Sequence, residues 1–294
     1  MSIAEDTVNI KDIQKKLLEI LLYFQNFCDT HNLKFVLAGG TCLGAVRHKG
    51  FIPWDDDVDV FMLREDYEKL FELWGKYADT TRYALVRSNE YVNIHHTATE
   101  IKDCNTTFIN KHSMNLDINQ GLMIDVIPLD GVTPRKFAQI HQIIQGMLYC
   151  CFNFQRLPEH KGKFMYYLTA AALHIIKSDK LKYKIWKAAE RNITKYNSDK
   201  YNTVASFGEG LKIMRQHFPR EWFLHPTVGM FEGHEMPIPA NADLYLRISY
   251  GDYMKLPPVS AQVPRHNTVF IDLNKSYKEY KGIKYYIKDQ VKEH

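Results

Sequence analysis

Long hydrophobic runs are missing from this chain of 294 residues. The most apolar stretch, Phe164 to Ile176, is thirteen residues long and carries Thr169 and His174, well short of the roughly 20 that cross a bilayer. A core helix is the plain reading of that stretch, and an interfacial helix facing a lipid-linked substrate is the alternative. The opening MSIAEDTVNIKD puts acids where a secretory signal carries basic residues, so secretion by that route is not expected. Cysteine is sparse, with five residues (Cys28, Cys42, Cys104, Cys150, Cys151) and no C-x-x-C spacing. That excludes a recognisable disulfide framework or zinc site and fits a reducing, cytoplasmic compartment. Charge of one sign is also lacking: 38 basic against 34 acidic residues leave a net +4, too little for a nucleic-acid footprint but compatible with a phosphate-bearing small ligand. The P-loop and the G-x-G-x-x-G fingerprint are absent, since Gly208-Glu-Gly210 has no third glycine. No internal repeat or low-complexity tract occurs.

What remains is an ordinary globular composition, 45% hydrophobic and 24% charged, with enough apolar residues for one large core or a core plus a lobe. Ile10, Ile13, Leu17, Ile20, Leu21, Phe24 and Phe27 recur at helical spacing and predict an amphipathic helix ending before His31-Asn32. Lys34 to Ala38 reads as a short strand closed by a Gly39-Gly40 turn. Thr41 then caps a short helix running through Arg47 or His48. Asp57 to Met62 reads as a strand, followed by a helix over about Glu65 to Lys76. Leu122 to Ile127 reads as another strand, stopped by Pro128 and an Asp130-Gly131 turn. Pro134 to Asn197 is helical in pattern. Pro219, Pro226, Pro237 and Pro239 punctuate the chain before a helix near Asn241 to Ser249 that ends by Gly251. Tyr277 to Lys292 reads as a charged surface segment.

The chemistry concentrates in Trp54-Asp-Asp-Asp-Val-Asp59, where four carboxylates fall within five positions. Two such charges about 4 Å apart at an effective dielectric near 20 repel by about 4 kcal/mol, comparable to a domain's whole stability. Full solvation would remove most of that cost, but Val58, Val60, Phe61, Met62 and Leu63 make the segment a buried strand. Side chains two apart share a face, so Asp57 and Asp59 converge. A hard divalent cation, Mg²⁺ with Mn²⁺ as the alternative, is the expected counter-charge. Asp125 stands alone in the apolar run Gly-Leu-Met-Ile-Asp-Val-Ile. A buried charge needs a partner, so Asp125 is either a third ligand or a structural acid held by amides or a distant arginine.

The string from Gly39-Gly-Thr-Cys-Leu-Gly to Pro53-Trp-Asp-Asp-Asp-Val-Asp59 closely resembles the LicD family of phosphorylcholine transferases, kin to the fukutin-type transferases. The resemblance continues through Arg64-Glu-Asp-Tyr67, Gly121 to Gly131, and Tyr250-Gly-Asp-Tyr-Met-Lys-Leu-Pro-Pro258. It implies a nucleotidyltransferase-like α/β (α+β) fold: a mixed sheet flanked by helices, with a helical insertion. The middle, about Pro134 to Asn202, offers no matching motif; with its helical pattern the chain divides into a catalytic core over 1–133, a helical lobe over 134–202 and a C-terminal segment over 203–294 that completes the site. The implied reaction moves phosphocholine from CDP-choline to a sugar hydroxyl of a lipid-linked teichoic acid or lipopolysaccharide-type glycan, with CMP released. Ribitol or glycerol phosphate transfer and true nucleotidyl transfer stay open, and a non-catalytic anion- or metal-binding module stands behind them.

On that resemblance the acids Asp57, Asp59 and Asp125 hold one or two Mg²⁺. Gly39, Gly40 and Thr41 hold donor phosphate, with Arg47 or His48 as a cationic partner. Asp55 or Asp56 accepts the proton of the sugar hydroxyl. Arg247, Tyr250, Asp252 and Lys255 approach the site, and Arg265 and His266 are weaker candidates. A cage for a quaternary ammonium would draw on aromatics such as Trp54, Tyr67 and Trp222. Peripheral contact with the inner face of the cell membrane is compatible with a lipid-linked acceptor, and no nucleic-acid partner is expected.

Overall fold

The computed structural model describes residues 8–157, 163–196, 201–264 and 266–287. Arg265, the first seven residues of the opening and the end of the Tyr277 to Lys292 segment lie outside the described residues. In chain order the elements are α1 (Ile10–Thr30), β1 (Val36–Leu37), α2 (Gly39–Arg47), β2 (Asp59–Leu63), α3 (Arg64–Tyr77), β3 (Tyr83–Val86), β4 (Thr99–Asp103), β5 (Thr107–Asn110) and β6 (Leu122–Gly131). They continue as α4 (Lys136–Phe154), α5 (Lys163–Ile175), α6 (Asp179–Thr194), β7 (Thr203–Ala205), α7 (Leu211–Met214), β8 (Phe218–Pro219) and α8 (Glu221–Leu224). The chain then forms β9 (Thr227–Phe231), β10 (His234–Ile238), α9 (Ala242–Tyr250) and β11 (Thr268–Asp272).

A mixed sheet runs in the order β1-β2-β6-β4-β3, extended by β7 beside β6 and β8 beside β7. Its β2/β6 pair is parallel and its other pairs are antiparallel. This is the expected α/β fold with a mixed sheet and flanking helices. The first helix follows its periodicity: the Asn9 side chain caps it by accepting from the Lys11 amide, and Leu17, Ile20, Leu21 and Phe24 are wholly buried. A second cluster, with Tyr149, Phe152, Trp186 and Ile193 at its centre, joins α4 and α6 to Ala205, Phe207 and Met214.

The parallel register fixes the geometry that matters. Asp59 lies opposite Asp125 across β2/β6, and Glu100 lies opposite Asp125 across β4/β6. Directly paired residues of adjacent strands point to one face, so three carboxylates stand abreast on the side of the sheet away from α1.

Several local expectations are corrected. The strand holding the acids starts at Asp59, so Asp57 sits in the loop before it. Helix α2 starts at Gly39 itself, with Ala38 as its N-cap and no side-chain cap bond. Gly39 has φ +49°, a left-handed value that a residue without Cβ adopts at little cost. Thr41, inside α2, instead accepts a hydrogen bond from the Asp59 amide at 2.9 Å. β6 does not stop at Pro128. The Asp125 amide donates to Val58 of the β2 side, and β4 pairs only as far as Val126. With two-residue alternation, the donor missing at Pro128 faces the side where β4 has already ended.

The expected Asp130-Gly131 turn is strand paired to Ala205 and Val204, and Asp130 is buried against Arg64. The β9/β10 hairpin, with Pro237 opposite Val228, occupies the proline-punctuated region. The plain core reading of the Phe164 to Ile176 stretch fails, because Tyr167, Leu168 and Ile175 of α5 are exposed. Tyr285, in the segment expected on the surface, is 1% exposed. Among the described residues no helix is long and apolar enough to cross a membrane, and no disulfide joins the cysteines.

Candidate active site

The acidic loop is held from behind. Buried Gln14 of α1 donates to the Ile52 and Asp55 carbonyls at 3.1 and 2.9 Å, satisfying backbone acceptors that burial would otherwise strand. The Ala38 amide donates to the Asp59 carbonyl at 2.9 Å. Together with the Thr41 bond this fixes Asp59 from two sides. The Gly39 amide is engaged by the Tyr245 hydroxyl of α9 at 2.8 Å, so it is not open to donor phosphate as the sequence reading expected.

A cavity of about 620 Å³ opens over the glycine turn, with Asp55, Asp57 and Asp59 on one wall and Arg47, Lys212 and Lys255 among its cations. A smaller cavity of about 200 Å³ lies beside it, lined by His96, Thr97, Asp125, Phe154 and Gly208 among others. Asp57, Asp59 and Glu209 line both. A Cβ on Gly40 would sit 2.9 Å from Asp55 Oδ2, and one on Gly39 would sit 3.3 Å from Asp59 Oδ2. The pair of glycines therefore makes room for the carboxylates themselves.

The charges are crowded. Burial pushes the Asp59 carboxyl well above the usual range, and the neighbouring Asp57 and Asp125 push it further. Asp125 is raised to about 6, chiefly by burial, and its Oδ1 is buried without a hydrogen-bond partner among the described residues. His96 Nε2 is 3.8 Å from Asp125 Oδ2, and its Nδ1 is 3.3 Å from Glu100 Oε1. Burial lowers the imidazole, but Asp125 and Glu100 outweigh it and bring His96 up to about 9. Lys102 and His96 hold Glu100 down to about 2 against burial. His266 Nδ1 lies 3.1 Å from Asp56 Oδ1.

The expected site residues divide accordingly. Gly39, Gly40, Arg47, Asp55, Asp57, Asp59, Tyr250, Asp252 and Lys255 share the larger cavity, and Asp125 lines the smaller one. Asp56 is turned to His266 and lines neither. His48 accepts from Arg47 Nε at 3.0 Å and is not part of either lining. Arg247 is exposed and bound to Asp243 at 2.8 Å, away from the cavity, because helical spacing pairs it with the acid four residues earlier. Of the rings named for a cage, Trp54 lines the larger cavity, whereas Tyr67 is buried between Arg64 and Arg87 and Trp222 lies in the core. The sequence reading missed His96, Glu100, Lys212 and Glu209; the His95-His96 pair was its one available signal for the first of these.

Residues 32–126 match the LicD/FKTN/FKRP nucleotidyltransferase domain. Over 269 residues the chain is 28% identical to the lipopolysaccharide cholinephosphotransferase LicD of Haemophilus influenzae, covering 88% of this chain and 96% of that protein. The chain therefore resembles LicD proteins along most of its length, and its family-type domain spans residues 32–126. Uncharacterized proteins of Rickettsia typhi and Rickettsia prowazekii are 41% identical over 70 residues, 20% of this chain and 23% and 26% of theirs. The matched span holds Asp57, Asp59, Glu100 and Asp125, while Glu209, Lys212 and the Tyr250 to Pro258 motif come from outside it.

Proposed function

We propose that the chain transfers phosphocholine from CDP-choline to a sugar hydroxyl of a lipopolysaccharide-type glycan, releasing CMP, with a divalent cation, Mg²⁺ or Mn²⁺, at its acidic centre. The observation that carries this reading is the placement of Asp57 and Asp59, with register-matched Asp125 beside them, at the junction of two cavities of different size. Similarity to the Haemophilus influenzae cholinephosphotransferase supports the choice of head group and acceptor.

The residues fit a cation. Their donors are hard carboxylate oxygens, burial and then the neighbouring acids raise the Asp59 and Asp125 carboxyls, and Asp125 Oδ1 has no hydrogen-bond partner among the described residues. Asp57, Asp59 and Asp125 would hold it. Bound there, it would neutralise charge developing on the phosphoryl group during transfer. The chain's own residues supply position: Arg47, Lys212 and Lys255 face the nucleotide phosphates, and Trp54, Tyr250 and Tyr253 offer ring faces to the choline ammonium. The exposed apolar residues Phe137, Ile140, Tyr167, Leu168 and Ile175, with exposed Lys177 and Lys180 nearby in sequence, suit a lipid-linked acceptor at a membrane surface.

The test is a donor panel. CDP-choline should give acceptor-dependent CMP faster than CDP-ribitol or CDP-glycerol. Preference for either of those would keep the phosphotransfer and discard choline. Release of pyrophosphate from a nucleoside triphosphate would replace the reading with nucleotidyl transfer.

A thermal measurement checks the acidic centre separately. Asp125 titrates near 6 when folded and near 3.9 when unfolded. Its raised folded value means stability is fully present below the unfolded value and is lost as pH rises through about 6. With divalent cations chelated, Tm should therefore fall across that window. Added Mg²⁺ or Mn²⁺ should restore it at pH 7 and have little effect near pH 4, where Asp59 and Asp125 are protonated. Equal response at both pH values would contradict the cation site.

A further inference from the structure

We propose that the smaller cavity is the acceptor-sugar site and that Glu209 is the base that takes the proton from the attacking hydroxyl. This rests on the phosphotransfer reading above and names the residue and the entry side that the reading leaves open.

The two cavities differ in chemistry as well as size. The larger one presents cations and several aromatic faces, suited to a nucleotide diphosphate and a quaternary ammonium. The smaller is lined, among the described residues, by the carboxyls of Asp57, Asp59, Asp125 and Glu209, the Thr97 hydroxyl, the His96 imidazole and one phenyl ring, Phe154, with Ala98, Ile127 and Pro128 between them. Sugar hydroxyls donate to carboxylates, and a single ring face packs against the C–H side of a pyranose, so a sugar fits where a nucleotide does not. A choline ammonium would meet the cationic His96 there, whereas Trp54, Tyr250 and Tyr253 line the larger cavity.

Three acids line both cavities, and two of them, Asp57 and Asp59, are claimed by the cation. The third is Glu209, carried on the Gly208-Glu-Gly210 loop outside the matched family span. Its Oε2 is buried with no hydrogen-bond partner among the described residues. Asp55 lines only the larger cavity and Asp56 is bound to His266, so neither is placed to meet a hydroxyl arriving from the smaller one. A base must lie within hydrogen-bond reach of the proton it removes, and Glu209 stands where the acceptor and the donor phosphorus would meet. In the step, the sugar oxygen forms a bond to the phosphocholine phosphorus of a CDP-activated donor. The bond from that phosphorus to the bridging oxygen breaks, its electron pair leaves on CMP, and the hydroxyl proton passes to Glu209 Oε2.

Glu209→Gln keeps shape and removes the base, so folding is retained and can be verified by circular dichroism. The expected result is a fall in kcat of about 10² to 10⁴, with donor KM and calorimetric Mn²⁺ affinity unchanged and with the low-pH limb of the kcat profile lost. A companion Phe154→Ala should raise acceptor KM and leave donor KM alone. Loss of Mn²⁺ affinity in Glu209→Gln would make Glu209 a ligand and overturn the assignment, as would wild-type turnover. A change of donor KM in Phe154→Ala would overturn the acceptor site. A wild-type protein silent with every CDP donor would instead sink the phosphotransfer reading, and this proposal with it.

Discussion

Asp59→Asn should reduce turnover by about 10³-fold, the scale of removing one preorganised electrostatic group from a reaction centre. Asparagine keeps the hydrogen bonds of the Asp59 backbone to Thr41 and Ala38, so the fold persists while one charge of the proposed cation site disappears. A second consequence is less intuitive. Asp59 is pushed well above the ordinary carboxylate range by burial and by Asp57 and Asp125, so its charge opposes folding when no cation is bound. Under chelation at pH 7 the variant should therefore melt higher than the wild type, and it should gain less from added Mg²⁺ or Mn²⁺. Retained activity within about tenfold, or a lower melting point under chelation, would remove Asp59 from the centre.

Asp130→Ala should cost about 3–5 kcal/mol of unfolding free energy in denaturant titrations, the range for stranding a buried ionic partner. Asp130 receives two bonds from Arg64, at 2.9 Å from Nε and 2.8 Å from Nη2, and their side chains are 2% and 6% exposed. Arg64 also lies 3.5 Å from Glu190 of α6, which Arg87 holds at 2.6 Å. One chain of charges therefore ties α3 and β6 to the helical lobe. The Arg64-Glu-Asp-Tyr67 motif belongs to this brace, since Tyr67 is itself packed between the two guanidinium groups and accepts from Thr99 Oγ1 at 2.7 Å. A loss below about 1 kcal/mol would mean that the brace is solvated in solution and contributes little.

The elements legible in the sequence are those whose signal is local. Helix α1 announces itself by its apolar spacing, and Asp57, Asp59 and Asp125 by acids set among apolar neighbours. What the sequence could not express is which strands become neighbours. Asp59 and Asp125 meet through a parallel register between segments far apart in the chain, and Glu100 joins them only because β4 lies on the other side of β6. Glu209 was hidden for the same reason. It is an acid on a short glycine-flanked loop, with no periodic run around it, and long-range folding alone delivers it to the cavities. Pro128 misled because a proline's cost depends on which edge its missing donor faces. The Thr41 hydroxyl misled because a strand amide competed successfully for it.

The most direct measurement is phosphorus NMR of the products when purified protein, Mg²⁺, CDP-choline and a lipopolysaccharide-derived acceptor are combined, beside Asp59→Asn and a chelated control. CMP should appear together with a new choline phosphodiester on the acceptor, both absent from the two controls. Nucleotide attached to the acceptor, or donor left intact with every acceptor tried, would contradict phosphocholine transfer.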